Sequence, residues 1–80
     1  ESGLGYNDIL IEIPKGRIGV VIEMKYAEEG NLDRACEKAL EQIEEKNYAA
    51  RLKQDGMRQL RKYGIACYKK ECKVIIGEKS

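Results

Sequence analysis

The 80-residue chain contains no histidine, and that absence removes more chemistry than any other single fact about it. Ser-His-Asp and Cys-His nucleophiles, His general bases and His-ligated zinc are all excluded within this chain. Cysteine is scarce as well. Cys36, Cys67 and Cys72 are an odd number with no C-x-x-C pair, too few for a structural zinc site or a disulfide framework. Cys67 and Cys72 can face each other across a hairpin, but reduced cysteine commonly fills cores, so the expectation is free thiols and a reducing, cytoplasmic compartment. No apolar run approaches the ~18 residues of a membrane span and no secretory signal is present, so no membrane partner is expected. Internal repeats and low-complexity segments are lacking too.

A dominant charge of one sign is also missing. Charged residues make up 36% of the chain, but 15 basic against 14 acidic residues leave a formal net charge of +1, so whole-molecule electrostatics selects no partner. The distribution is less even. Acids concentrate between Glu28 and Glu45, while Arg51, Lys53, Arg58, Arg61, Lys62, Lys69 and Lys70 face a single acid, Asp55, in the next stretch. Two readings stay open for that basic stretch: a track for a phosphate backbone or an ordinary solvated surface.

The length allows one small domain, since a core of this size buries only ~60% of the surface that the unfolded chain exposes. The first residue is Glu1 rather than Met, so residues 1–80 are expected to be a single, partial domain cut from something longer.

What is present begins with Asp8 to Ile13, D-I-L-I-E-I, a strand with Ile9, Ile11 and Ile13 on one face. Pro14-Lys15-Gly16-Arg17 has the Pro and Gly of a tight turn, and the apolar run Ile18 to Lys25, I-G-V-V-I-E-M-K, follows at once as the second arm of an antiparallel hairpin. With the turn centred on Lys15-Gly16, paired residues sum to 31 and Asp8 lies opposite Glu23; a bulged loop moves the pairing by about one position. Glu23 and Lys25, two apart, point to one face and Met24 to the other.

Asn31 is a reasonable N-cap with Asp33 in the first turn. Leu32, Cys36, Ala39, Leu40 and Ile43 then recur at helical spacing, with Gln42 in the border row Ala35, Ala39, Gln42, Lys46. Helical character continues through Tyr48 to Leu52, with Asn47 a bending point and Gly56 a stop. Met57 to Lys62 suits either a short helix or extended chain. Tyr63 to Tyr68 reads as a strand, Lys69-Lys70-Glu71 as a turn and Cys72 to Ile76 as a closing strand. Hairpins flanking a helical crossover imply a mixed α/β sheet of order β-β-α-(short α)-β-β, with the second and third strands parallel.

The pattern of an aspartate followed by Glu-x-Lys on the next strand suits magnesium-dependent phosphodiester hydrolysis. Magnesium takes hard oxygen ligands, usually one or two carboxylates plus waters and substrate phosphate. Asp8 and Glu23 supply the carboxylates, and the backbone carbonyl of Met24 is a candidate third oxygen. Lys25 is a candidate to hold the attacking water and stabilise charge on phosphorus, and Gln42 to position water or phosphate from the helix. The plain reading of Glu23 and Lys25 is a charge pair where a strand leaves the core. Gln42 reads equally as a border residue with no role, and Tyr48 as a ring packed against the sheet.

Taken together, G-Y-N-D-I-L-I-E-I, G-V-V-I-E-M-K, A-L-E-Q-I-E-E-K-N-Y-A and K-Y-G-I-A-C-Y-K-K-E-C-K-V resemble the PD-(D/E)XK nuclease superfamily, specifically the branch found as a C-terminal domain of bacterial and archaeal AAA-ATPase-like proteins. The resemblance covers nearly the whole chain in the right order. It implies a restriction-endonuclease-like fold and Mg2+- or Mn2+-dependent hydrolysis of DNA or other nucleic acid. Asp8 and Glu23 would be metal ligands, Lys25 the catalytic lysine, and Gln42 with Tyr48 the helix signature beside the site. It further implies nucleic acid and an attached ATPase domain as partners, with a catalytically silent binding or regulatory module as the alternative. Where the family usually has Gly-Arg-x-Asp, this chain has Gly5-Tyr6-Asn7-Asp8, without the arginine. The family's usual upstream helix and strand are also expected to be missing, which would expose apolar surface and favour a homodimer.

Overall fold

A computed structural model of the chain describes residues 7–78. Strand β1 (Asn7–Ile13) and strand β2 (Ile18–Tyr26) form an antiparallel hairpin closed by residues 14–17. A 3-10 turn, Glu28–Gly30, leads to helix α1 (Leu32–Glu45) and helix α2 (Tyr48–Gln54). Strand β3 (Gln59–Tyr68) and strand β4 (Glu71–Ile76) complete a four-stranded sheet of order β1-β2-β3-β4. β2 and β3 run parallel, as a helical crossover between them requires, and the outer pairs are antiparallel. Extended chain begins at Gln59, so of the two conformations open to Met57–Lys62, residues 59–62 take the strand.

Helix α1 starts where Asn31 Oδ1 accepts the Arg34 backbone N–H (3.2 Å), covering a donor that the first helical turn leaves unpaired. It ends at Glu45, and two residues on, Asn47 takes a left-handed conformation (φ 57°, ψ 41°) that asparagine tolerates better than most residues. The helical stretch is therefore two helices, with Lys46 and Tyr48 on either side of the break.

Both helices pack on one face of the sheet. Val21, Ile43, Leu52, Met57 and Leu60 form the larger core cluster, and Ala27, Ala35, Cys36 and Ala66 the smaller. Small residues let α1 lie very close: a Cβ on Gly64 would sit 2.6 Å from the Cys36 carbonyl oxygen, nearer than real packing permits. On β2 the helix-facing positions are Gly19, Val21, Glu23 and Lys25, all buried, while the intervening residues are only partly covered. The other sheet face is apolar and uncovered: Ile9, Ile11 and Ile13 are about 40% exposed, and Val74 and Ile76 more so. Cys67 and Cys72 pair across the β3–β4 hairpin as free thiols. Among the described residues, no helix is long and apolar enough to cross a membrane.

Candidate active site

The hairpin register decides which groups meet. Ile13 pairs with Ile18 with no bulge, so Asp8 lies directly opposite Glu23. Side-chain alternation turns Glu23 and Lys25 toward the helices and Met24 toward the open face. Glu23 is fully buried and Lys25 nearly so. Met24 lies between them at the same strand end, with its backbone in the ladder to β1 and β3.

The helices close the site from above. Lys46 Nζ lies 2.7 Å from Asp8 Oδ2 and 3.6 Å from Glu23 Oε2, so one ammonium spans both carboxylates. Tyr48 donates its hydroxyl to the same Asp8 oxygen at 2.5 Å, and its ring packs beside the larger core cluster. Gln42, with its amide turned so that each end meets its complement, donates to Glu23 Oε2 at 2.8 Å and accepts from Lys25 Nζ at 3.3 Å. Gln42, expected either to position water or phosphate or to be a border residue with no role, bridges the Glu and the Lys. Tyr48 packs its ring beside the larger core cluster, as its plain reading has it, and also holds Asp8, a contact absent from the expectations for it. Lys46 is the member that sequence reasoning left unassigned. Its signal was its place one helical step after Gln42 in the border row.

Charge in the site is out of balance by design of its surroundings. Burial, and then the neighbouring Asp8 carboxylate, push the Glu23 carboxyl up to about 7, against the pull of Lys46 and Lys25. Asp8 is held down at about 2, chiefly by its hydrogen bond with Glu23, with Lys46 and Tyr48 adding to it and burial opposing. The pair thus keeps one proton, on Glu23, over the acidic range. Burial also lowers Lys25, helped by the Lys46 and Lys38 cations and opposed by Glu23 and Asp8. Asp8 raises both Lys46 and the Tyr48 hydroxyl by hydrogen bonding.

Two features of this arrangement fit a divalent cation. Glu23 Oε1 is buried without a hydrogen-bond partner among the described residues, a costly state for a carboxylate oxygen unless something positive completes it. The Lys46 ammonium already stands where a cation shared by Asp8 and Glu23 would be favoured. No cluster of three or more His, Cys, Asp or Glu residues occurs among the described residues, so any ion here would rest on two carboxylates plus water and substrate oxygens, a usual set for magnesium.

The basic stretch from Arg51 to Lys70 does not form one surface. Lys62 is buried and bonded to Glu44 (2.8 Å), Arg61 bonds Gln59 and the Leu60 carbonyl from the opposite sheet face, and Lys69 and Lys70 lie in the β3–β4 turn.

A mixed sheet with helices on one face and two carboxylates and a lysine at the end of its first hairpin defines a restriction-endonuclease-like fold. The chain belongs to the PD-(D/E)XK nuclease superfamily, whose family model matches residues 1–76. Neither the curated proteins nor the solved structures yield a match.

Proposed function

We propose that this domain hydrolyses phosphodiester bonds in nucleic acid with Mg2+ or Mn2+ held by Asp8 and Glu23. The observation that carries this reading is the Asp8–Glu23 register pair with an orphaned, buried Glu23 oxygen and Lys25 on the same face. The ion, when bound, supplies positive charge to the scissile phosphate and acidifies the attacking water. Lys25 orients that water and holds negative charge as it builds on the phosphate oxygens. Gln42 fixes the Lys25 ammonium relative to Glu23, and Tyr48 and Lys46 hold Asp8 in place. Water's oxygen forms the new bond to phosphorus as the bond to the leaving sugar oxygen breaks; the water proton passes to bulk water and the leaving oxygen takes a proton from solvent, while Lys25 holds the negative charge on the phosphate oxygens.

One observation favours a second reading, a catalytically silent module that serves binding or regulation of an attached AAA-like ATPase. Lys46 already neutralises the carboxylate pair, which would let the fold persist without metal. Incubation of the purified chain with plasmid, single-stranded DNA and RNA separates the two. Cleavage that requires Mg2+ or Mn2+ and disappears in Lys25→Ala is expected. No cleavage of any substrate, or equal cleavage by Lys25→Ala, would leave the silent module.

A further inference from the structure

Next to Lys25 lies a cavity of about 490 Å3 lined by Lys25, Tyr26, Glu28, Glu29, Arg34 and Lys38, among others, a size usual for small-ligand sites. Lys25 is shared, so the cavity opens directly from the group that would meet the scissile phosphate. Its walls differ in sign. On α1, Arg34, Lys38, Gln42 and Lys46 recur every fourth residue and so run along one flank in steps of ~6 Å. Lys38 lies near enough to act on the Lys25 ammonium. Two acids of the same helix, Asp33 and Glu44, lie on the opposite flank, where Asp33 bonds Lys73 and Glu44 bonds Lys62. Glu28 and Glu29 face the basic flank from the 3-10 turn. Tyr26 is 51% exposed, and its ring is backed by Tyr68 at 5.7 Å between centroids.

A row of cations leading away from the site, an aromatic ring with a free side and two carboxylates across the gap suit a nucleotide in parts. Cations take phosphates, an aromatic ring stacks a base, and carboxylates accept from base amino groups and sugar hydroxyls. Carboxylates also repel a second phosphate backbone, which a duplex would bring and a single strand would not.

We propose that this cavity holds one unpaired nucleotide adjoining the phosphodiester at Lys25, with Lys38 and Arg34 on the following phosphates and the base stacked on Tyr26. The substrate is then single-stranded, or frayed, at the site. This rests on the nuclease reading for its position next to a scissile bond, but its binding is measurable without cleavage.

The test is fluorescence anisotropy of a fluorescein-labelled single strand and of its duplex, in EDTA, with the intact chain and variants whose folding is checked by circular dichroism. The single strand is expected to bind more tightly. Tyr26→Ala should weaken it about tenfold, within the range for loss of one stacked base, while Tyr26→Phe binds as wild type. Arg34→Ala/Lys38→Ala should weaken binding and flatten the salt dependence by roughly 0.7 in log–log slope per lost contact. Glu28→Gln/Glu29→Gln should narrow the preference over duplex. A duplex preference, or wild-type single-strand binding by Tyr26→Ala and Arg34→Ala/Lys38→Ala, overturns the proposal. Absence of metal-dependent cleavage with these binding effects intact overturns the nuclease reading instead.

Discussion

Replacing Glu23 by glutamine should stabilise the metal-free fold at alkaline pH while abolishing activity. Glu23 is fully buried, and its carboxyl is raised from 4.5 to about 7, first by burial and then by Asp8. Because the folded-state value lies above the unfolded one, the folded chain binds a proton that the unfolded chain has released. Stability from this group is therefore full below pH 4.5 and is lost as pH rises to about 7. At 1.36 kcal/mol per pH unit the loss is about 3 kcal/mol, or about 2 kcal/mol once relaxation of the buried charge is allowed for. Asp8 does not confuse the comparison, since its lowered value of about 2 confines its own effect to pH below about 4. Glu23→Gln cannot titrate, so its stability relative to wild type should improve by about 2 kcal/mol between pH 5 and pH 8. For a chain of this size that is roughly 8–16 °C in Tm. Thermal melts by circular dichroism in EDTA at both pH values measure it. A wild-type-to-variant difference that does not change with pH, or that moves the other way, refutes the account of a strained carboxylate pair.

The other groups give sharper or smaller effects. Lys46→Ala removes the ammonium that spans Asp8 and Glu23. Because Lys46 is 39% exposed and screened, the loss should stay below about 1 kcal/mol, a few degrees in an EDTA melt, yet Mn2+ should then raise Tm more than in wild type because its competitor is gone. Gly64→Ala forces a Cβ against the Cys36 carbonyl and should cost about 1–3 kcal/mol through overpacking, read as a lower urea midpoint.

Much of this was legible in the residues. The Asp8–Glu23 pairing followed from a turn centred on Lys15-Gly16, because register in a hairpin is set by turn length, and the alternation of Glu23, Met24 and Lys25 followed from strand geometry alone. Gln42 was locatable from helix phase. What was not legible depends on distances between elements. Asn47 was readable as a bend, but not that the break there would turn Tyr48 toward Asp8. Lys46 is one of many lysines, and only the approach of α1 to β1 makes it the partner of two carboxylates. The basic run from Arg51 to Lys70 stayed open between two readings for the converse reason: neighbours in sequence on α2, β3 and a turn face different ways. The face bearing Ile9, Ile11 and Ile13 was visible as a stripe, but not that the helices would cover the opposite one.

Whether Asp8 and Glu23 form a site for a divalent cation is tested most directly by calorimetric titration of Mn2+ into the wild-type chain and Asp8→Asn at pH 8. A single saturable site in wild type that is lost in Asp8→Asn is the predicted result. No binding by wild type, or equal binding by Asp8→Asn, would contradict it and leave the Lys46 ammonium as the cation that spans the pair.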